Sequence, residues 1–166
     1  MTQEIQQFIG YMQSPIGTIE IQTSDEWLES VRFVEEKPEI EPAINHPILQ
    51  ETIRQLTEYF EGTRTTFDLP IAWQGTLFQQ SVLRCVAAIP YGMTASYKNI
   101  AGRIENEKAV RAVGTSNRNN RLLIVIPCHR VIASNGSLSG YAGGVWRKEW
   151  LLNHEKTHCK HIFLVH

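Results

Sequence analysis

Short apolar runs near the start of the chain predict a small antiparallel β-sheet. They are separated by turn-forming Pro, Gly, Ser and Asp residues and cover residues 8–12, 18–22 and 27–34. An acidic stretch with two prolines, residues 35–42, predicts an exposed loop. Apolar residues then recur at helical spacing between 46 and 62, and residues 67–73 are expected to add a further strand and a connection. The front part therefore predicts a sheet covered by one helix.

Helical spacing dominates from Gly75 onward. Apolar residues between 78 and 89 predict an amphipathic helix that ends at Pro-Tyr-Gly. Ser96 is expected to cap a short helix over 97–103, and Asn106 a second helix from 107 to about 116. Two short helices joined by a tight connection are typical of a helix-turn-helix. A last amphipathic helix is predicted over 146–154, with Glu155 directly after it and a tail over 156–166.

The apolar run 122–126 predicts a buried strand, and the residues directly after it are candidates for catalysis. Pro127 ends strand pairing because it has no N–H to donate, and Cys128 and His129 follow at once. A thiol becomes a good nucleophile when a base takes its proton, and a carboxylate such as Glu155 would orient that base. Successive residues of a strand point to opposite faces. A bend or a bridging water is therefore expected to connect Cys128 with His129.

Composition is typical of a globular intracellular protein. Hydrophobic residues make up 42% and charged residues 20% of the 166 residues, and no apolar run is long enough to cross a membrane. The first residues lack the pattern of a secretory signal. The three cysteines are odd in number and irregularly spaced, which argues against a disulfide framework. We therefore expect a cytoplasmic protein without membrane association.

Charge is divided unevenly along the chain. Residues 1–83 carry four basic and thirteen acidic side chains, whereas residues 84–166 carry twelve basic and four acidic ones. A basic half of this kind is expected of a protein that binds nucleic acid. The alternative is a solvated face that is rich in Lys and Arg, and charge by itself leaves both open.

The sequence Ile-Pro-Cys-His-Arg-Val-Ile at 126–132 closely resembles the active-site signature of the O6-alkylguanine-DNA alkyltransferases, also called methylated-DNA–protein-cysteine methyltransferases. Further segments occur in the order and spacing of that family, namely 75–79, 89–92, 96–97, 109–114, 140–144 and 148–155. One short signature can mislead, but several in register make chance implausible. The resemblance covers about half of the chain, residues 75–155, and is weaker over the front part.

The resemblance implies an α/β fold of two domains. Residues 1–74 would form a ribonuclease H-like lobe, with a small sheet and its covering helix. Residues 75–166 would form a mostly helical domain for DNA binding and alkyl transfer, with a winged-helix-like helix-turn-helix and a buried active-site strand. The protein is expected to act as a monomer on double-stranded DNA, without a cofactor or a metal.

The resemblance also implies a role for particular residues. Cys128 would attack the alkyl carbon on O6 of guanine, and His129, oriented by Glu155, would take the thiol proton through a water. Tyr97 would donate a proton or hydrogen bond to the departing base, and Asn120 would brace the chain before the active site. The thioether is a poor leaving group, so each molecule would act once. O4-alkylthymine is expected as a further substrate.

The target base would have to leave the duplex to reach a thiol in a pocket. By resemblance, the base would be held by backbone groups of Val131, Tyr141 and Ala142. Contacts in the minor groove would come from the second helix and a later loop, and the residues implied are Arg111, Ala109, Ala112, Gly114 and Ser134. Arg111 would fill the stack that the base vacates.

Two departures and several alternatives accompany this interpretation. Arg121 and Leu123 stand where the family often has proline, which is expected to loosen the chain beside the pocket. A lesion-binding protein without transfer and a Cys–His hydrolase are the alternative functions. A metal-like spacing occurs near the C-terminus, in His154, His158, Cys159 and His161. We interpret this segment as polar and predict no metal site there.

Overall fold

A three-stranded antiparallel sheet forms the base of the first unit, residues 1–72, in a computed structural model that describes residues 4–36 and 45–163 and side chains as far as 159. The strand order is β1-β2-β3, and the strands are β1 (Phe8–Ser14), β2 (Gly17–Thr23) and β3 (Leu28–Val34). A two-residue connection joins β1 to β2, and Gly17 at its end has a φ of 120° that favours glycine. The three predicted strands are confirmed.

Helix α1 (Pro47–Glu61) covers one face of this sheet, as predicted. Ile19 and Ile21 of β2 are buried, as are Leu49 and Leu56 of α1. Close approach is possible where β1 has a glycine, because a Cβ at Gly10 would lie 2.8 Å from a methyl carbon of Leu49. The first unit thus has its own apolar core.

The segment predicted as a further strand over 67–73 is not one. Ile71 makes a single isolated bridge to Leu28, held by a 2.7 Å hydrogen bond from Leu28 N to the carbonyl of Pro70. Proline has no N–H with which to continue a ladder, so pairing stops there. Most of the predicted loop 35–42 lies outside the described residues.

The second unit spans residues 73–166, and its described part, as far as 163, contains four α-helices, a short 3-10 turn and a two-stranded parallel sheet. The sheet pairs Ala95 with Val131 and Ser96 with Ile132. The elements are α2 (Leu77–Ala87), β4 (Ala95–Ser96), α3 (Tyr97–Arg103), α4 (Val110–Arg118), β5 (Val131–Ile132) and α5 (Val145–Phe163). Helices α3 and α4 pack on each other and on α2. The mixed α/β fold with a small front sheet and a mostly helical second unit is confirmed.

Helix α4 starts three residues later than the pattern predicted. Asn106 accepts the N–H of Ala109 with its backbone carbonyl at 3.0 Å, so it closes a turn and does not cap a helix with its side chain. Ala109 stands at the start of α4 without a side-chain cap. The loss of a cap is offset by packing, since Val113 and Ser116 of α4 are buried.

The predicted strand over 122–126 is wrong, although burial of these residues is confirmed. The chain makes a tight turn, with a hydrogen bond from Ile126 N to the carbonyl of Leu122 and a φ of 72° at Ile124. Leu123 and Ile126 form one isolated bridge within this turn. A 3-10 turn over Cys128–Arg130 follows, and a strand begins at Val131–Ile132. An apolar run indicates burial but does not by itself separate a strand from a buried turn.

Helix α5 is longer than the predicted 146–154. It continues to Phe163, so Glu155 lies within the helix and most of the predicted tail is helical. Across the portions of the chain that the structure describes, no helix combines the length and apolar character required to span a membrane.

We expect Ser96→Ala to destabilise the second unit by about 1 kcal/mol, because this side chain caps α3. Its Oγ accepts the N–H of Asn99 at 2.9 Å, while Asn99 Oδ1 accepts the N–H of Ser96 at 3.0 Å. Urea unfolding of both proteins measures the difference. Ser137→Ala is the matched control at an exposed loop serine; an equal loss in both variants would contradict the capping role.

Candidate active site

Cys128 lies in the 3-10 turn and is almost completely buried, with 2% of its surface exposed. Its N–H donates to the carbonyl of Ile126 at 2.7 Å. Burial raises the pKa of the Cys128 thiol to about 11, although Asn120 and the charge of Lys148 oppose the rise. At neutral pH the thiol therefore keeps its proton until a base removes it.

A buried carboxylate lies behind the thiol and its neighbouring imidazole. Glu155 on α5 accepts hydrogen bonds from His129 Nε2 and from Arg130 Nε, the latter at 2.6 Å. The N–H of Gly92 also points to this carboxylate, at 3.3 Å. Burial alone would raise the pKa of Glu155, but His129 and Arg130 outweigh it and lower that pKa to about 2.

The same contacts define the protonation of His129. Burial lowers the pKa of the imidazole in spite of the adjacent Glu155, so the ring is neutral at pH 7. Because a carboxylate only accepts, Nε2 carries the hydrogen and Nδ1 presents a lone pair. Nδ1 is buried and has no hydrogen-bond partner among the described residues. His129 is thus oriented by Glu155 and has a free basic nitrogen.

Asn120 holds the turn that precedes Cys128. Its Nδ2 donates to the carbonyl of Ile126 at 2.9 Å, and its Oδ1 accepts the N–H of Leu122 at 3.0 Å. These bonds satisfy buried backbone groups that a neighbouring strand would otherwise pair. One buried side chain therefore takes the place of the strand pairing that the apolar pattern predicted.

Tyr97 and Lys148 meet at a carbonyl oxygen on the other side of the site. The Tyr97 hydroxyl donates to the carbonyl of Ser139 at 3.2 Å, and Lys148 Nζ donates to the same oxygen at 3.0 Å. Lys148 is fully buried and also donates to the carbonyl of Val131 at 2.6 Å. Burial lowers the pKa of Lys148 to about 8, against the opposing effect of Cys128.

The residues implied for base binding surround this cluster. Val131 begins β5, directly after the 3-10 turn, and is buried. Tyr141 is buried and its ring stands edge-on to His129, with 6.4 Å between the ring centroids. Ala142 is exposed in the turn between Tyr141 and Gly144, which is closed by a 3.0 Å backbone bond.

Residues implied for DNA contact lie on or beside α4 and in the loop after β5. Arg111 and Ala112 are exposed, while Ala109 and Gly114 are half-buried. A Cβ at Gly114 would lie 3.9 Å from the ring of Tyr97, which is ordinary contact. Ser134 is exposed in the loop between β5 and Tyr141, so Ser134 and Arg111 are both accessible to a partner.

The sequence reasoning missed Lys148 and Asn117 as site residues, and it left Arg130 open between a structural ion-pair residue and a phosphate contact; the structure shows the ion pair. Arg130 bridges Glu155 and the carbonyl of Ile89, the latter at 2.7 Å from Nη1. A buried charge needs a partner, so a cation directly after the Cys-His pair was a signal. The buried positions of Lys148 and Asn117 had no such local signal, because both depend on helix packing.

Arg121, which stands where the family often has proline, is anchored by its side chain. Nη1 donates to Oε1 of Gln74 at 2.7 Å. The expected loosening remains a prediction, but the structure supplies a contact at this position that proline lacks. Leu123, the second departure, is buried in the turn.

Within the residues that the structure describes, no group of three His, Cys, Asp or Glu side chains is arranged to hold a metal ion. The ring of His154 stacks on Trp150, with 4.8 Å between the ring centroids, and is tilted against the ring of His158, with 4.2 Å between the centroids. The side chain of His161 lies outside the described part. The tail residues named in the sequence analysis therefore gain no support as a site.

Family models match almost the whole chain. Residues 8–73 match the ribonuclease-like domain of 6-O-methylguanine DNA methyltransferase, and residues 77–157 match its DNA-binding domain. A methylated-DNA–protein-cysteine methyltransferase of Methanosarcina acetivorans is 43% identical over 152 residues, which cover 89% of this chain and 97% of that protein. The chain belongs to the 6-O-methylguanine DNA methyltransferase family, as the resemblance implied.

Solved structures agree with this membership. The crystal structure of Mycobacterium tuberculosis O6-methylguanine methyltransferase matches with a TM-score of 0.81 and 39% identity, covering 92% of this chain and 94% of that one. A structure of Mycobacterium tuberculosis OGT in complex with DNA also matches with a TM-score of 0.81, at 38% identity, covering 89% and 92% of the two chains.

We expect Glu155→Gln to lower the free energy of unfolding at pH 7 by about 3 kcal/mol, because it leaves the buried Arg130 without its counter-charge. The pKa of Glu155 is about 2 in the folded protein, below its ordinary 4.5. Its stabilising effect is therefore present above pH 4.5 and is lost as the pH falls towards 2.

Urea unfolding at pH 7 and pH 3 measures this effect. The gap between the parent protein and Glu155→Gln is expected to shrink at pH 3. Glu149→Gln, at an exposed position of the same helix, is the control and is expected to match the parent. A gap that stays constant with pH would contradict a native carboxylate held ionised by its neighbours.

Proposed function

We propose that this protein repairs DNA as a methylated-DNA–protein-cysteine methyltransferase, by moving the alkyl group of O6-alkylguanine onto Sγ of its own Cys128. The observation that carries the proposal is the buried array of Cys128, His129 and Glu155 in a chain of this family. A neutral imidazole that is oriented by a buried carboxylate beside a thiol is the arrangement that activates a nucleophilic cysteine.

The transfer is an in-line displacement at the alkyl carbon. His129 Nδ1 takes the thiol proton through a water, and Glu155 stabilises the imidazolium that forms. Sulfur then bonds to the alkyl carbon as the bond from carbon to O6 breaks. The electron pair stays on the guanine, to which Tyr97 donates a proton or hydrogen bond. The charge of buried Lys148 favours the thiolate, since it lowers the pKa of Cys128 against the effect of burial.

The reaction ends after one turnover. The thiolate of Cys128 is a poor leaving group from the carbon of a thioether, so the alkyl group stays on the protein. No cofactor takes part. The protein is consumed in proportion to the lesions that it removes.

Base flipping follows from the burial of the nucleophile. With 2% of Cys128 exposed, an alkyl group within a stacked duplex is out of reach, so the nucleotide must rotate into the site. Arg111 on the exposed side of α4 fills the vacated stack. Backbone groups of Val131, Tyr141 and Ala142 hold the flipped base, while Asn120 keeps the turn before Cys128 in place.

The DNA contact is assigned to the minor groove and to residues 75–166, which include both α4 and the site. Small side chains allow α4 to approach closely, and the residues concerned are Ala109, Ala112 and Gly114. Ser134 contacts the backbone from the loop after β5. The minor groove carries little sequence information, which suits repair at any position. We further infer a monomer that acts within the cell. O4-alkylthymine is inferred as a second substrate, because its alkyl group is also bonded to an exocyclic oxygen on a ring carbon.

The first test follows label from DNA to protein. Duplex DNA with radiolabelled O6-methylguanine is expected to transfer one label per molecule to Cys128, and Cys128→Ala is expected to abolish transfer. Cys85→Ala is the control and should keep full transfer. Tight binding without label would favour a lesion-binding protein, and repeated hydrolysis of an ester would favour a hydrolase; either result contradicts the proposal.

The second test separates flipping from chemistry. We expect Arg111→Ala to slow repair of duplex DNA by roughly tenfold or more, because an empty stack disfavours the flipped state by a few kcal/mol. Reaction with free O6-benzylguanine should change little. Arg84→Ala is the control, since Arg84 stacks on Trp73 at 4.3 Å and has no assigned DNA contact. Equal losses on both substrates would remove Arg111 from this role.

A further inference from the structure

Asn117 connects helix α4 with the backbone of the nucleophile. It lies in the last turn of α4 and is 2% exposed, on the side of the helix away from exposed Arg111. Its Nδ2 donates to the carbonyl of Cys128 at 3.2 Å. The same carbonyl accepts the N–H of Val131, which starts β5. The oxygen therefore has one partner within its own turn and one from the helix-turn-helix.

The orientation of the Asn117 amide follows from this contact. A carbonyl oxygen only accepts hydrogen bonds, so the side chain must present Nδ2 to Cys128 and turn Oδ1 the other way. Oδ1 is buried and accepts no hydrogen bond from the described residues. A buried amide oxygen without a hydrogen-bond partner costs free energy, which points to a role for this side chain other than stability.

The other neighbour of the amide is Tyr97 on α3. Burial and nearby Cys128 raise the pKa of Tyr97, and hydrogen bonding to Asn117 is among the effects that oppose this rise. Asn117 is thus close to the two residues at opposite ends of the transfer, the nucleophile and the donor to the departing base.

We propose that Asn117 is a positioning residue for alkyl transfer, which fixes the backbone of Cys128 relative to DNA-contacting helix α4. Small displacements of reacting groups lower the reaction rate by large factors. Loss of a single hydrogen bond that positions Cys128 is therefore expected to slow the transfer. This inference rests on the proposed alkyl transfer and adds a residue to it.

The main test compares rate with affinity in the full-length protein. Asn117→Leu keeps the size of the side chain and removes the donor. We expect the single-turnover rate at saturating O6-methylguanine duplex to fall roughly tenfold or more, while the Kd for the same duplex changes less than about threefold. Circular dichroism and thermal unfolding report whether the variant is folded.

Ser116→Ala is the matched control, because Ser116 is buried in the same turn and its hydroxyl bonds only within α4, to the carbonyl of Ala112 at 2.9 Å. This variant is expected to react at the parent rate. If Asn117→Leu also reacts at the parent rate, or if both variants lose rate equally, the inference is overturned.

The pH dependence of the transfer rate distinguishes a positioning role of Asn117 from a purely structural one, which would not change it. In Asn117→Asp, a protonated carboxyl can donate to the carbonyl of Cys128, whereas a carboxylate cannot. The rate relative to the parent is therefore expected to rise as the pH falls from 8.5 to 5.5, and the ratio for Asn117→Leu is expected to stay flat. These pH limits span about three units, around the raised pKa expected of a buried carboxyl.

Of the other ionisable groups in this cluster, Cys128 and Tyr97 titrate above this range. Lys148 titrates within it, but it is present in the parent and in both variants, so its effect cancels in the rate ratio. The pKa of Cys128 is about 11, that of Lys148 is about 8 and that of Tyr97 is raised, and the guanidinium of Arg118 lies near Tyr97. His129 is present in the parent and in both variants, so its effect on the rate cancels in the ratio. Should Asn117→Leu fail to fold, a flat ratio for Asn117→Asp overturns the inference. Loss of label transfer in the parent protein would instead overturn the proposed function.

Discussion

The buried carboxylate of Glu155 is the contact on which the rest of the site depends. It pairs with Arg130, orients His129 and receives the N–H of Gly92, so that one group joins α5 to the 3-10 turn and to the loop after α2. An ionised carboxyl in this environment requires these partners, and the partners require it. The neutral imidazole with a free Nδ1 is a consequence of this arrangement.

Around Glu155, the backbone N–H and carbonyl groups of the site form hydrogen bonds with side chains more than with a neighbouring strand. Asn120 pairs the backbone of the turn before Cys128, and Lys148 pairs the carbonyls of Val131 and Ser139. The parallel sheet contributes only two residue pairs. The nucleophile is thus held by side-chain hydrogen bonds to the backbone around it, without belonging to a long strand. The same logic extends to Asn117, which ties the turn to α4.

Prediction from the sequence was most successful where periodicity is strong and local chemistry is sufficient. The strands of the front sheet, helix α1 and the Ser96 cap were all predicted, because alternation, helical spacing and capping chemistry act over a few residues. The run 122–126 was wrongly predicted as a strand. Its apolar residues indicate burial, but the turn depends on Asn120, whose bonds to Ile126 are not visible in the hydrophobic pattern. The helical tail was also missed, since helix α5 continues through a polar stretch.

The sequence by itself determined the candidate nucleophile and the fold class, because the Cys-His pair after a proline and the order of the motifs are properties of the chain alone. It also determined that His129 would need a carboxylate. The tertiary structure decided which groups share a buried environment. It brought Glu155 to His129 and Arg130, and it placed Lys148 and Asn117 beside the active-site turn. These contacts join residues from 11 to 26 positions apart, and burial, charge and pKa depend on distances that only packing defines.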